Sequence, residues 1–303
     1  MSHLQASQLF NVQGLVVVLT GGGSGLGRIM AHTLDANGAS KIFILGRREE
    51  ALRETASQAA NGSIIPIKAD VSSKESLQAA YDAVAAQTDH VDLLIANSGI
   101  VGPKARSPAA KLESPSSSST LSDLRDHLWS IPMQDFTKTF DVNVTGSYYT
   151  VIAFLPLLEA ANKRRPPPQK NKLSPPTAQV IITSSIAGYN RVVPFSIAYN
   201  LSKAAVNHLV KVLSTMFLPY HVRVNGIAPG LFLSEMSAGL FSDDDKGISD
   251  GSFPSSILPL THAGGEEDIG GLILYLAGGA GGYLNGNITV VDGGRLGLTP
   301  STY

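Results

Sequence analysis

The chain of 303 residues carries 23 basic and 24 acidic side chains, a net charge of −1, with 16% charged against 43% hydrophobic residues. Such a composition excludes a largely disordered chain, offers no long-range field to gather nucleic acid or an anionic membrane, and suits one large domain with an extensive core. Zero cysteines exclude disulfides, thiolate metal ligands and a cysteine nucleophile, and seven histidines without paired ligand spacing give no reason to expect a metal.

The first apolar run, residues 15–19, is too short to span a bilayer, and residues 1–10 lack the basic and apolar blocks of a signal peptide. A cytoplasmic protein with no membrane partner is expected. Along the chain, runs rich in β-branched residues predict strands at 15–20, 41–45, 64–68, 91–96, 179–183, 222–226 and 287–291. Stretches with helical spacing of apolar residues lie between them at 25–37, 49–60, 74–87, 135–160, 198–217 and 266–277. Nearly all-apolar strands alternating with helices predict a single doubly wound α/β domain over residues 1–303, with a seven-stranded parallel sheet covered on both faces.

Three segments break the rhythm. Residues 102–131 read as a loop insertion, with Ser114-Pro115 followed by Ser116 to Ser119, although Leu128, Trp129 and Ile131 near its end are apolar enough to dock. Residues 162–177 hold Lys163, Arg164, Arg165 and three consecutive prolines, read as a solvated extended loop or as a polyproline segment for a partner. Residues 231–256 begin apolar and continue rich in Gly, Ser and Asp.

The first strand runs into Thr20-Gly21-Gly22-Gly23-Ser24-Gly25-Leu26-Gly27 and then a helix. Glycines there permit positive φ and close approach of the backbone to a pyrophosphate, and the helix N-terminus offers free N–H groups and positive potential. A merely flexible turn is the alternative reading. A P-loop would end in Gly-Lys-Ser/Thr, and a nucleophile elbow would need Gly where Leu26 stands.

With Ala96-Asn97-Ser98-Gly99, Asp70-Val71, Asn143, Ser185, Tyr199 with Lys203, Pro229-Gly230 and Val291-Asp292-Gly293-Gly294 in the same order, the chain resembles the classical short-chain dehydrogenase/reductase family. The pattern is similar to 3-oxoacyl carrier-protein reductases and to fungal-type ketoreductases. It departs in Ala96, in Ser234 where Thr is common, in His262 where many relatives have Arg, and in the first two insertions. The resemblance implies a Rossmann fold and a nicotinamide cofactor contacted by Thr20, Gly21, Ser24, Gly25, Leu26, Gly27, Asp70, Val71, Asn97, Gly99, Pro229, Gly230 and Ser234. Asp70 would meet the adenine amino group and Ser234 the nicotinamide amide.

Tyr199 and Lys203 lie one turn apart on a predicted helix, so a phenol and an ammonium share one face. A nearby cation is expected to lower the phenol pKa and suit it to reversible ketone and alcohol chemistry. Ser185, at the end of a buried strand, is placed to orient the substrate oxygen, with Ser184 as a substitute. By resemblance Lys203 also binds the nicotinamide ribose and Asn143 holds a proton-relaying water.

The second strand is followed by Gly46-Arg47-Arg48 rather than an acidic residue, which predicts NADP(H): Arg47 for the 2′-phosphate, assisted by Ser24 and Arg48. Two solvated arginines opening a helix are the alternative. The segment 231–256 is expected to form a substrate lid through Leu231, Phe232, Leu233, Met236, Leu240 and Phe241, with Tyr189 and Phe195 as the opposite wall and Trp129 reaching in. Packing of its apolar side chains on a neighbouring subunit is the alternative. That lining favours a bulky, largely apolar or aromatic ketone. By resemblance the helices at 135–160 and 198–217 pair with copies of themselves, giving a homodimer or homotetramer. A non-redox cyclase or isomerase, or a regulatory scaffold on the same fold, stands as the alternative function.

Overall fold

The computed structural model describes residues 4–104, 120–167, 175–193, 195–232 and 253–303. Its strands β1 (Val16–Thr20), β2 (Lys41–Gly46), β3 (Ile64–Lys68), β4 (Leu93–Ala96), β5 (Gln179–Thr183), β6 (Arg223–Pro229) and β7 (Ile288–Val291) form one sheet. The order is β3-β2-β1-β4-β5-β6-β7, with every pair parallel. All seven strands therefore lie where their apolar runs predicted them. The helices are α1 (Ala6–Leu9), α2 (Gly25–Ala36), α3 (Glu49–Ser57), α4 (Lys74–Ala85), α5 (Leu121–Trp129), α6 (Met133–Phe140), α7 (Gly146–Lys163), α8 (Ile197–Met216) and α9 (Glu266–Ala277).

Because successive strand residues face opposite sides, an all-apolar strand feeds two cores at once. Val16, Val18, Phe43 and Leu45 pack with Val84 of α4, Phe154 and Leu158 of α7 and Val210 of α8. Val17, Leu19, Ile42 and Ile44 pack on the other face with Met30 and Leu34 of α2, Leu52 of α3 and Ile273 of α9. Each such side chain, fully buried, contributes roughly 1.5–3 kcal/mol, so the two cores are the main stabilising element. The helical run Met133–Lys163 is long and apolar enough to cross a membrane, but its apolar residues Val151, Phe154, Leu157 and Leu158 are spent on the sheet.

Three local features differ from the sequence reading. The insertion at 102–131 contains α5, started by a capping box: Asp123 N donates to Thr120 Oγ1 at 3.2 Å and Thr120 N donates to the Asp123 carboxylate at 2.8 Å. The Thr120-x-x-Asp123 spacing was the available signal. The single helix expected at 135–160 is α6 and α7 joined by a π-helical turn, Asp141–Thr145, whose wider winding turns Asn143 inward. The second insertion starts later than residue 162, because Asn162 belongs to α7 and its side chain bonds Tyr220 O, His221 O and Ala178 N.

Strand order reverses between β1 and β4, so the loops leaving β1 and β4 part in opposite directions and open a crevice at the carboxyl edge. Gly27 lets α2 close down on that edge: a Cβ there would lie 2.1 Å from Gly21 O and 2.7 Å from Asn97 Nδ2. Gly271 in α9 has open space around it. We expect Gly27→Ala to lower Tm by about 5 °C, from a clash worth roughly 1–3 kcal/mol, and Gly271→Ala to raise it slightly through helix propensity. Thermal denaturation of the two variants measures the contrast; equal shifts would contradict the packing described.

Candidate active site

Loops at the carboxyl ends of all seven strands line a cleft of about 1020 Å³. At one end lies the glycine turn, where Gly21 and Gly25 take φ of 73° and 52°, values that favour glycine. Gly21, Gly23, Ser24, Gly25 and Leu26 line the cleft. Ser24 is the N-cap of α2, yet its side chain caps no helical N–H and instead receives Arg48 Nη2 at 2.9 Å. The first turn of α2 thus presents backbone N–H groups to the cleft without a side-chain cap, as an anion site requires. Thr20 and Gly27 do not reach the cleft and shape the turn from behind. The Thr20 hydroxyl accepts from Asn97 N (3.0 Å) and Ser98 N (3.1 Å), and Asn97 Nδ2 donates to Thr20 O at 3.2 Å.

Beside this turn, Arg47 and Arg48 follow β2, exposed on the cleft wall. Asp70 and Val71, after β3, form the adjoining wall. The Asp70 carboxyl is held below its usual range, mainly by the Ser72 hydroxyl at 2.6 Å and the Ser72 N–H at 2.9 Å, and further by the positive charges of Arg47 and Lys138. Val71 packs on Leu77 and Val142. Gly99 lies where a Cβ would press on Asn143 Oδ1 at 3.3 Å and come into contact with Lys203 Nζ at 3.6 Å, so its lack of a side chain leaves room in the cleft beside that ammonium.

The other end carries the titratable cluster. Tyr199 and Lys203 lie on the first turns of α8, which is N-capped by Ser196 Oγ accepting from Tyr199 N at 3.3 Å. The Lys203 ammonium is buried and donates to Thr183 O at 2.7 Å; burial pushes its pKa down to about 8. The Ser185 hydroxyl accepts from Ala187 N at 3.1 Å, capping the short turn Ile186–Gly188, donates to Pro229 O at 3.5 Å, and stands near enough to the Tyr199 phenol to favour its ionised form. The expected lowering of the Tyr199 pKa is reversed: burial raises it, and only the neighbouring Ser185 hydroxyl opposes the rise. Lys203 Nζ lies 5.6 Å from the ring centroid with its charge directed at Thr183 O. Tyr199 is therefore a neutral phenol, a proton donor.

Between the two serines the geometry chooses Ser185. Ser184 is buried, with its hydroxyl spent on Lys203 O at 3.2 Å and on Asn207 Oδ1. Asn143 does not line the cleft: its Oδ1 accepts from Ile100 N at 2.8 Å, and its Nδ2 donates to Ile100 O (3.0 Å) and Ser202 Oγ (2.9 Å). Ser202 Oγ in turn donates to Tyr199 O at 2.8 Å. The Asn143 side chain thus ties the loop after β4 to the turn that bears Tyr199.

Of the residues expected to meet substrate, Phe195, Leu231 and Phe232 line the cleft. Tyr189 does not; its ring turns outward against Tyr303, centroids 5.1 Å apart, and Thr302 N bonds its carbonyl at 2.9 Å. Trp129 also stays outside, 75% exposed beneath Arg125. Ser234, Phe241 and most of the expected lid lie outside the described residues. Asn190 and Arg295 line the cleft and were missed in the sequence; Arg295 follows Asp292-Gly293-Gly294 directly, and that position was its only signal. Thr183 Oγ1 and Asn200 Nδ2 line the cleft buried without a hydrogen-bond partner among the described residues, which fits a polar ligand laid against them.

Comparison with known proteins agrees with this geometry. The family model described as short chain dehydrogenase matches residues 15–245. The short-chain dehydrogenase/reductase PhomF of Diaporthe leptostromiformis is 42% identical over 301 residues, covering 99% of this chain and 97% of the relative. The rhamnolipids biosynthesis 3-oxoacyl-[acyl-carrier-protein] reductase of Pseudomonas aeruginosa is 30% identical over 286 residues, covering 94% and 97%. Among solved structures, the Pseudomonas aeruginosa RhlG/NADP active-site complex superposes with a TM-score of 0.76 at 29% identity, covering 95% of this chain and 98% of the other. A parallel sheet reversing at β1 and β4, a glycine turn on that crevice and a Ser-Tyr-Lys cluster facing it across the cleft accord with these matches: the chain belongs to the short-chain dehydrogenase/reductase family and is an oxidoreductase of that family.

Proposed function

We propose that the protein reduces a ketone to a secondary alcohol with NADPH, reversibly. The observation that carries this reading is the meeting of the Ser185 hydroxyl, a neutral Tyr199 phenol and the buried Lys203 ammonium in the same cleft as the glycine turn. A bound nicotinamide supplies the hydride. The chain does the rest: Ser185 holds the carbonyl oxygen, Tyr199 gives it a proton from Oη, and Lys203 would hold the cofactor's ribose and stabilise the phenolate left behind. Asn143, through Ser202, keeps the Tyr199 turn in place.

Arg47 and Arg48 favour the phosphorylated cofactor, because a 2′-phosphate on the ribose meets guanidinium groups there instead of a carboxylate. The NADP complex of the RhlG relative is consistent with this preference. Phe195, Leu231 and Phe232 favour a largely apolar or aromatic ketone. Leu201, Val212 and Met216, exposed on α8, suit pairing with a second copy. A cytoplasmic location completes the reading.

Reduction of a ketone panel with stoichiometric loss of NADPH absorbance tests the reading directly. Tyr199→Phe should lower kcat by about 10²–10⁴-fold while the NADPH Kd changes little; retention of most of kcat would remove Tyr199 from the chemistry. For reduction, kcat/KM should fall about tenfold per pH unit above pH 8, as Lys203 loses its proton in the free enzyme, and a flat profile from pH 7 to 9.5 would contradict that role. Arg47→Ala should cut kcat/KM for NADPH by roughly 10–100-fold, the worth of a charge-assisted hydrogen bond, and leave the value for NADH nearly unchanged. Equal wild-type efficiency with the two cofactors would sink the assignment.

A further inference from the structure

Among the described residues, five cations line the cleft. Arg47, Arg48 and Lys104 are exposed, and Lys203 is spent on Thr183 O. Arg295 is different. It is half-buried in the cleft wall, and no hydrogen bond or ion pair joins its side chain to any described residue. Burial works against its charge, Asp292 nearby favours it, and the net effect pushes its pKa down. Its nitrogens are open to the cleft, so a guanidinium with no partner among the described residues is placed to meet an anionic or strongly polar group that enters there.

Its position is also fixed. Asp292 accepts from Gly294 N at 3.0 Å and Leu296 N at 2.7 Å, so its carboxylate is occupied in shaping the turn that opens the helix Arg295–Leu298. Leu296 is buried beneath that helix. Upstream, Gly230 N bonds Val291 O at 2.9 Å; downstream, Thr299 Oγ1 donates to Asn190 Oδ1 at 2.9 Å. Arg295 is therefore held between the loop after β6 and the loop joining Ser185 to Tyr199. That is the reacting end of the cleft, away from the turn after β2 that carries Arg47. An ordered turn presenting a planar fork that pairs with none of the described residues suits bidentate recognition of a carboxylate.

The geometry points to Arg295 as the residue that binds a carboxylate of the substrate, so that the preferred substrate is an apolar or aromatic ketone bearing a carboxylate. This rests on the ketone reading above and narrows its substrate class. Leu231, Phe232 and Phe195 would take the apolar body while the guanidinium takes the anionic end, which makes the acid preferred over its neutral ester.

The test uses 4-oxo-4-phenylbutanoate and its methyl ester as probes, with the enzyme saturated in NADP⁺ for calorimetric binding and supplied with NADPH for turnover. Wild-type enzyme should bind the acid at least tenfold tighter than the ester. Arg295→Ala should remove that difference by weakening the acid about 10–100-fold and the ester less than threefold, and Arg295→Lys should restore part of it. Binding of NADPH should change less than twofold. Discrimination that survives Arg295→Ala, equal binding of acid and ester by wild type, or a tenfold loss of NADPH affinity would each overturn the assignment. If the binding difference holds and neither probe is reduced, Arg295 keeps its role and the ketone reading fails instead.

Discussion

The parallel pairing of β1 with β4 across the reversal of strand order is the constraint on which the rest of the molecule depends. Parallel strands put all their carboxyl ends on one edge, and reversal leaves a crevice there that no crossover fills. The glycine turn after β1, Asn97 after β4, Ser185 after β5 and Pro229 after β6 then face one space although the sequence separates Gly21 from Gly230 by most of the chain. Backbone closeness is built in at the crevice. Thr20 Oγ1 takes the N–H groups of Asn97 and Ser98, and Gly27 leaves α2 no side chain to hold it away.

Electrostatics divides the cleft into two ends. Around β2 and β3 the charges are exposed and the carboxylate of Asp70 is kept ionised by Ser72. Around α8 burial dominates: it lowers Lys203 and raises Tyr199, so the phenol keeps its proton and the ammonium holds its own more loosely. A proton donor beside a cation of near-physiological pKa is what carbonyl reduction asks of a protein that leaves electron transfer to a cofactor. Asn143 serves this arrangement at a distance, through Ile100 on one side and Ser202 on the other.

How far the molecule can be read from its sequence differs from element to element. The strands were legible because residues such as Val17, Val18, Ile42 and Phe43 must be buried on both faces, a demand that composition alone exposes. Tyr199 and Lys203 were legible because helical spacing puts them on one face. The rise in the Tyr199 pKa was not, since it depends on how much protein surrounds the ring and on where Lys203 sends its protons. Tyr189 was assigned to the cleft by its place between Ser185 and Tyr199, but the carboxyl-terminal residues draw it outward through Thr302 and Tyr303. Trp129 was expected inside because it is large and apolar; α5 leaves it exposed under Arg125. Arg295 had only its position after Asp292-Gly293-Gly294 as a signal, because what brings it to the cleft is a contact with Asn190 across 109 positions of sequence, made by Thr299 on the same turn.

The central claim is that this cleft brings a carbonyl carbon against a nicotinamide while Tyr199 protonates the oxygen. Transfer of label from NADPH deuterated at the nicotinamide C4 measures it most directly. The account predicts that the alcohol formed by wild-type enzyme carries one deuterium at the former carbonyl carbon, from one face of the nicotinamide only. Conversion of the ketone with no label in the alcohol, or label equally from both faces, would contradict it.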